Sequence, residues 1–168
     1  MSPEPAELFE RVETHAQIAA VVSLAREIWK HHYVPLIGAA QVDYMLERYQ
    51  SPAAIERQIR DEGYEYYVAR GTAYLAIVPN HPRPGVAHLN KIYVHPAKQR
   101  EGWGRAVMAL AEQRCRDLAC GELWLTVNKR NTGSIAFYER LGFRKTGALV
   151  TDIGEGYVMD DWRMAKTL

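Results

Sequence analysis

A strand that runs directly into a glycine turn and then a helix, Asn90–Arg105, constrains the chain more than any other stretch. Ile92, Tyr93 and Val94 are β-branched or aromatic, and Pro96 ends the ladder because it has no amide hydrogen to donate. After Gly104, the apolar residues Val107, Leu110, Ala111 and Leu118 recur at helical spacing. Between the two lies a polar turn carrying Gly102 and Gly104. A helix start presents backbone N–H groups without internal partners, and its dipole favours negative charge. Glycines let such a backbone approach a ligand closely, so the turn has the outline of a phosphate cradle. A plain strand-to-helix turn fits these residues equally well. The dinucleotide fingerprint is excluded because position 107 is Val, and a P-loop because no Gly-Lys-Ser/Thr follows.

The rest of the chain supplies a mixed architecture. Leu8–Val12 reads as a first strand. Thr14 and Gln17 form a capping box opening a helix to about Lys30, with Ile18, Val21, Val22, Ala25, Ile28 and Trp29 in helical register. His31, His32 and Tyr33 fall just past its expected end, before Pro35. A second helix carries Val42, Met45, Leu46 and Tyr49 on one face. Ser51 and Pro52 start a third, which Gly63 closes. Tyr64–Ala69, Ala73–Val78 and Val86–Val94 form an antiparallel meander. A nearly continuous apolar strand, Leu123–Val127, reads as covered on both faces. A helix from Asn131 or Thr132 carries Ile135, Ala136, Tyr138 and Leu141, and a hairpin of Phe143–Thr151 and Tyr157–Ala165 closes the chain. The order β-α-α-α-β-β-β-α-β-α-β-β predicts one α/β domain over residues 1–168: a single mixed, mostly antiparallel sheet flanked by helices.

Charge narrows the partners. The whole chain carries +1, which gives no support for nucleic-acid or membrane-surface binding. From Lys91 to Lys145, however, eleven basic residues stand against five acidic ones. The closing hairpin is acidic, with Asp152, Glu155, Asp160 and Asp161, as a site for a cation or a solvated, aggregation-resistant edge would be. Cys115 and Cys120 have no CxxC spacing and read as inert thiols. The start, Met1–Glu10, has no apolar run of the signal-peptide kind, and no segment has the apolar length of a membrane span, so a cytoplasmic protein is expected. The histidines lack ligand spacing, and no metal site is expected.

Two blocks together resemble the GNAT superfamily of N-acetyltransferases. Gln99–Arg100–Glu101–Gly102–Trp103–Gly104 matches the family's Gln/Arg-x-x-Gly-x-Gly/Ala signature after a strand. Asn128–Phe143 matches the second pattern of Asn, Ala, Phe-Tyr and Gly-Phe, at Asn131, Ala136, Phe137–Tyr138 and Gly142–Phe143. The resemblance runs from about Tyr64 to the end, and the tail Asp160–Leu168 looks, more weakly, like bacterial polyamine acetyltransferases. It implies a GNAT-like fold, acetyl-CoA as co-substrate and a small-molecule primary amine, a polyamine among them, as acceptor. A protein lysine or N-terminal amine is the alternative acceptor, and a non-catalytic CoA-binding module the alternative role. A homodimer is left open.

By the same resemblance, the CoA pyrophosphate would lie on Gln99, Arg100, Glu101, Gly102, Trp103, Gly104 and Arg105. The pantetheine arm would pair with Ile92, Tyr93 and Val94, and Asn131 and Ser134 match CoA-contacting positions. Tyr138 is the candidate acid, a hydroxyl placed to stabilise the departing thiolate and protonate it. Many members place a glutamate on the strand leading to the Tyr-Val pair. Here Val86, His88 and Asn90 occupy that alternating face, and His88 is the candidate base, with a free pKa near 6.5.

Overall fold

A computed structural model describes residues 4–168. Its frame is a seven-stranded sheet: β1 (Glu10–Arg11), β2 (Glu65–Ala69), β3 (Ala73–Val78), β4 (Val86–Val94), β5 (Glu122–Asn128), β6 (Arg144–Gly154) and β7 (Tyr157–Thr167). The spatial order is β1-β2-β3-β4-β5-β7-β6, antiparallel throughout except for the parallel β4–β5 pair. The expected mixed, mostly antiparallel sheet is therefore present. β7 inserts between β5 and β6, so the closing hairpin adds to the sheet by its second strand.

Two helical layers cover the sheet. On one face, α5 (Trp103–Asp117) and α6 (Thr132–Arg140) bury Val107, Met108, Ala111 and Ile135 against Leu75, Ala87, Leu89 and Leu125. On the other, α2 (His15–Ile37), α3 (Ala39–Gln50) and α4 (Pro52–Asp61) bury Val21, Ala25, Trp29, Met45 and Ile55 against Tyr66, Val68, Tyr74 and Ala76. Val42, Met45, Leu46, Ala54 and Ile55 are all buried, which makes both α3 and α4 part of the core.

Two boundaries differ from the sequence reading. Leu8–Val12 is not one strand: α1 (Pro5–Leu8) ends at Leu8, and β1 keeps only Glu10 and Arg11. Met1–Pro3 of the acidic start lie outside the described residues. The long helix α2 does begin with the Thr14–Gln17 capping box, but it continues past Lys30 to Ile37 with Pro35 inside. Pro35 removes one amide donor only, close to the C-terminus, and Gly38 at φ 87° returns a cap bond to the Val34 carbonyl. The apolar stripe explains the extension, because Tyr33 lies one turn beyond Trp29 and packs edge-on against it at 5.6 Å between ring centres.

The α2 face also holds a polar chain. Trp29 Nε1 donates to the Tyr74 hydroxyl (2.9 Å), which donates to Gln50 Oε1 (2.7 Å). Gln50 Nε2 donates to the Tyr66 hydroxyl (3.0 Å), which donates to Gln58 Oε1 (2.6 Å). Every member is buried, so the chain satisfies groups that would otherwise be costly there.

Candidate active site

The site begins where β4 and β5 part. Only Val86–His88 pair with Glu122–Trp124; beyond them the two parallel strands diverge. The cause lies in β4. Its register with β3 slips so that Ile77 faces Leu89 while Ala76 faces Lys91, leaving Asn90 as the extra residue of a bulge. The bulge turns the strand, and the β5-facing edge of Ile92–Val94 has no strand partner.

A cavity of about 670 Å³ fills the gap. Ile92, Tyr93 and Val94 form one wall, Gln99, Arg100, Gly102, Gly104 and Arg105 the mouth, and Asn131, Ser134 and Tyr138 the wall opposite. At the mouth, Arg100 (φ 67°) and Gly102 (φ 86°) both take left-handed backbone, and Gly102 is the N-cap of α5 without any side-chain cap. The first-turn amides of this 15-residue helix are thus left to an external acceptor.

The structure gathers most of the sequence-identified residues and separates three. Glu101 is exposed and Trp103 packs edge-on against Phe9; neither lines the cavity. His88 does not line it either. Its imidazole stacks on Trp124 at 3.7 Å, and burial, then Lys91, pushes its pKa down to about 3. A ring so placed is neutral and stands one residue back from the cleft, its Nδ1 3.5 Å from the Nδ2 of the cavity-lining Asn90. Gly104 lines the cavity mouth, and its lack of a side chain serves packing as well: it lies within α5, and a Cβ there would stand 3.1 Å from Phe137 Cζ on α6.

Sequence reasoning missed the C-terminal half of α2. His31, His32 and Tyr33 line the cavity. Asn131 Nδ2 meets His32 Nε2 at 2.8 Å, while its Oδ1 caps α6 by accepting from the Ser134 amide (3.2 Å). Arg130 Nη1 donates to the Leu36 carbonyl (2.5 Å). These bonds tie α2 to the start of α6 and close the cavity on that side. The i+4 spacing of Trp29 and Tyr33 carried the signal, hidden behind Pro35.

Three phenols mark the cavity's inner end. The Tyr33 and Tyr93 hydroxyls share a hydrogen bond of 2.8 Å. Burial pushes Tyr33 up to about 12, with the Asp161 carboxylate adding to the rise. Burial raises Tyr138 further, and the nearby Tyr33 phenol contributes. All three are neutral hydroxyls at physiological pH.

A mixed sheet parted beside a helix-start cradle is the fold of the acyl-CoA N-acyltransferases. The chain closely follows solved examples: PaiA N-acetyltransferase of Thermoplasma acidophilum in complex with coenzyme A (TM-score 0.74, 16% identity, 95% of this chain and 99% of that one). The ribosomal-protein-S18-alanine N-acetyltransferase of Escherichia coli is similar (TM-score 0.67, 22% identity, 95% and 92%). Residues 20–143 match the profile of the acetyltransferase (GNAT) family, and the chain belongs to that family. A mycothiol acetyltransferase of Salinispora tropica is 36% identical over 74 residues, 42% of this chain. The match spans only 24% of that protein's length.

Proposed function

We propose that residues 1–168 act as one acetyl-CoA-dependent N-acetyltransferase domain that acetylates a primary amine of a small molecule. One observation carries the reading: the unpaired β4 edge, the uncapped start of α5 and the Tyr138 phenol line one cavity. Family membership supports the same reaction.

The residues fit coenzyme A on chemical grounds. The amides after Gly102 and the Arg100 and Arg105 side chains suit phosphates, and the open edge of Ile92–Val94 suits the amide-bearing pantetheine arm. When bound, acetyl-CoA supplies the activated acetyl group. A β4 amide near Val94 then donates to the carbonyl oxygen as negative charge develops on it, a contribution of about 3–4 kcal/mol. Tyr138 donates a hydrogen bond to the leaving sulfur. A phenol of pKa about 10 is already a weaker acid than a thiol at about 8.5, and burial weakens it further. Tyr138 therefore stabilises the thiolate by donation and keeps its proton.

The test is thiol release from acetyl-CoA over a panel of diamines, arylamines and lysine peptides. Turnover with a small amine is expected; tight CoA binding with no thiol released by any amine would overturn the reading. A second expectation concerns the cradle. Gly104→Val would drive two methyl groups into Phe137, an overpacking cost of about 1–3 kcal/mol. Because the strain falls between α5 and α6, it should appear as a KM for acetyl-CoA raised about tenfold, with kcat little changed. A stability loss without any change in KM would separate Gly104 from cofactor binding.

A further inference from the structure

The β4 strand offers no carboxylate to the cavity, yet a buried carboxylate lies on β7. Asp161 is 5% exposed, and its Oδ1 is sealed without a hydrogen-bond partner, the one such side-chain atom among the described residues. Side chains alternate along β7, and Asp161 shares its face with Tyr157 and Met159, which pack in the α2 layer; Trp162 and Met164 take the other face. That face brings Asp161 close enough to Tyr33 for its charge to raise the Tyr33 phenol; Tyr33 lines the cavity beside Tyr93 and Tyr138, whereas Asp161 stands outside the lining, so an amine reaches it only by passing Tyr33. Asn128, opposite Asp161 on β5, uses its Oδ1 on the Arg130 amide and leaves the carboxylate alone.

Among the described residues no cation forms an ion pair with this carboxylate. Lys129, the basic residue that acts on Asp161, forms its ion pair with the neighbouring Asp160 at 2.9 Å, and its ammonium also lies 4.9 Å from the Trp162 ring. Asp160 adds repulsion, and the remaining group facing Asp161 is the neutral Tyr33 phenol. Burial first, then Asp160, pushes the Asp161 carboxyl up to about 6. An unpartnered buried carboxylate costs stability, and such costs concentrate where a ligand removes them.

We propose that Asp161 is the proton acceptor for the amine substrate: an alkylammonium enters past Tyr33, donates to Asp161 and transfers one proton to its carboxylate. This rests on the acetyltransferase reading and deepens it, because it selects cationic alkylamines over neutral arylamines. The nitrogen lone pair freed by that transfer attacks the thioester carbonyl carbon, forming the C–N bond. The C–S bond then breaks and its electron pair leaves on sulfur. The second nitrogen proton, shed as the amide forms, ends on the thiol, and Asp161 returns its proton to solvent. An alkylammonium has a pKa of about 10.4, so a carboxylate at about 6 accepts its proton only transiently, as a base that must turn over should.

The experiment measures kcat/KM for 1,4-diaminobutane and for aniline against pH, in the wild type and in Asp161→Asn, with thermal unfolding of both proteins. For the wild-type enzyme and the diamine, kcat/KM should rise about tenfold per unit up to about pH 6 and then level. In Asp161→Asn that break should vanish, with kcat/KM at pH 7 lower by about 10²–10⁴-fold. The thermal midpoint at pH 7.5 should be unchanged or higher, since a buried charge has been removed. An Asp161→Asn enzyme with the wild-type pH profile, or one whose midpoint falls by several degrees, overturns the inference and leaves the acetyltransferase reading standing. So does a wild type that acetylates aniline and ignores the diamine. A wild type that releases no thiol with any amine overturns both.

Discussion

Replacing Tyr138 by Phe is expected to lower kcat about 10²–10³-fold, the usual consequence of losing one donor aimed at developing charge. The substitution removes a single oxygen from a ring that packs against Phe137 and Phe143, so the fold and the cavity shape should survive. In the proposed reaction, Tyr138 meets the sulfur most strongly once charge develops there. For that reason kcat and kcat/KM should fall together while the affinity for acetyl-CoA stays within about threefold. The raised phenol adds a pH criterion. Its charge-free form persists far above neutrality, so no loss of activity on the alkaline side up to about pH 9 should trace to Tyr138. Single-turnover thiol release measures the step directly. A Phe variant with wild-type kcat would leave Tyr138 a packing residue of the core.

Gln50→Ala is expected to cost about 2–4 kcal/mol of stability, more than any surface change in the molecule. Gln50 accepts from Tyr74, donates to Tyr66 and also donates to the Tyr49 carbonyl at 2.6 Å. Truncation leaves the Tyr74 hydroxyl without its acceptor, on a side chain with no exposure at all, and opens a void between α3 and the sheet. In a chain of 168 residues, this should lower the thermal midpoint by about 4–16 °C. The damage should reach the site, since Tyr74 packs against Tyr93 at 5.4 Å between ring centres and Tyr93 holds Tyr33. Calorimetry decides it: a midpoint within 2 °C of wild type would show that water replaces the amide and that the chain of bonds contributes little.

Most of the strands were legible in the sequence because their signals are local. Two runs of β-branched and aromatic residues around Arg70–Gly71–Thr72, and the long run ending at Pro96, needed no tertiary information to be recognised. The same holds for the caps of α2 and α4, where Thr14, Gln17 and Ser51 bond to their own helix starts. The length of α2 was not legible. Pro35 is a local stop signal, and only burial of Tyr33 against Trp29 and Tyr93 explains why the helix runs through it.

The sequence by itself determined the strand–glycine turn–helix unit, the family resemblance from which the proposed phosphate cradle follows, and the place of Tyr138 on the next helix. Each depends on residue types at short spacing. The tertiary structure decided the rest of the chemistry. The β4–β5 register pairs His88 with Trp124, on which it stacks, and the Asn90 bulge, invisible to a period-two count, puts Ile92–Val94 out of step with it. The insertion of β7 between β5 and β6 carried Asp161 from an acidic hairpin into the α2 layer, near Tyr33. A carboxylate missing from one strand can be supplied by another far along the chain, because sheet order, unlike a motif, is set by how whole faces are buried.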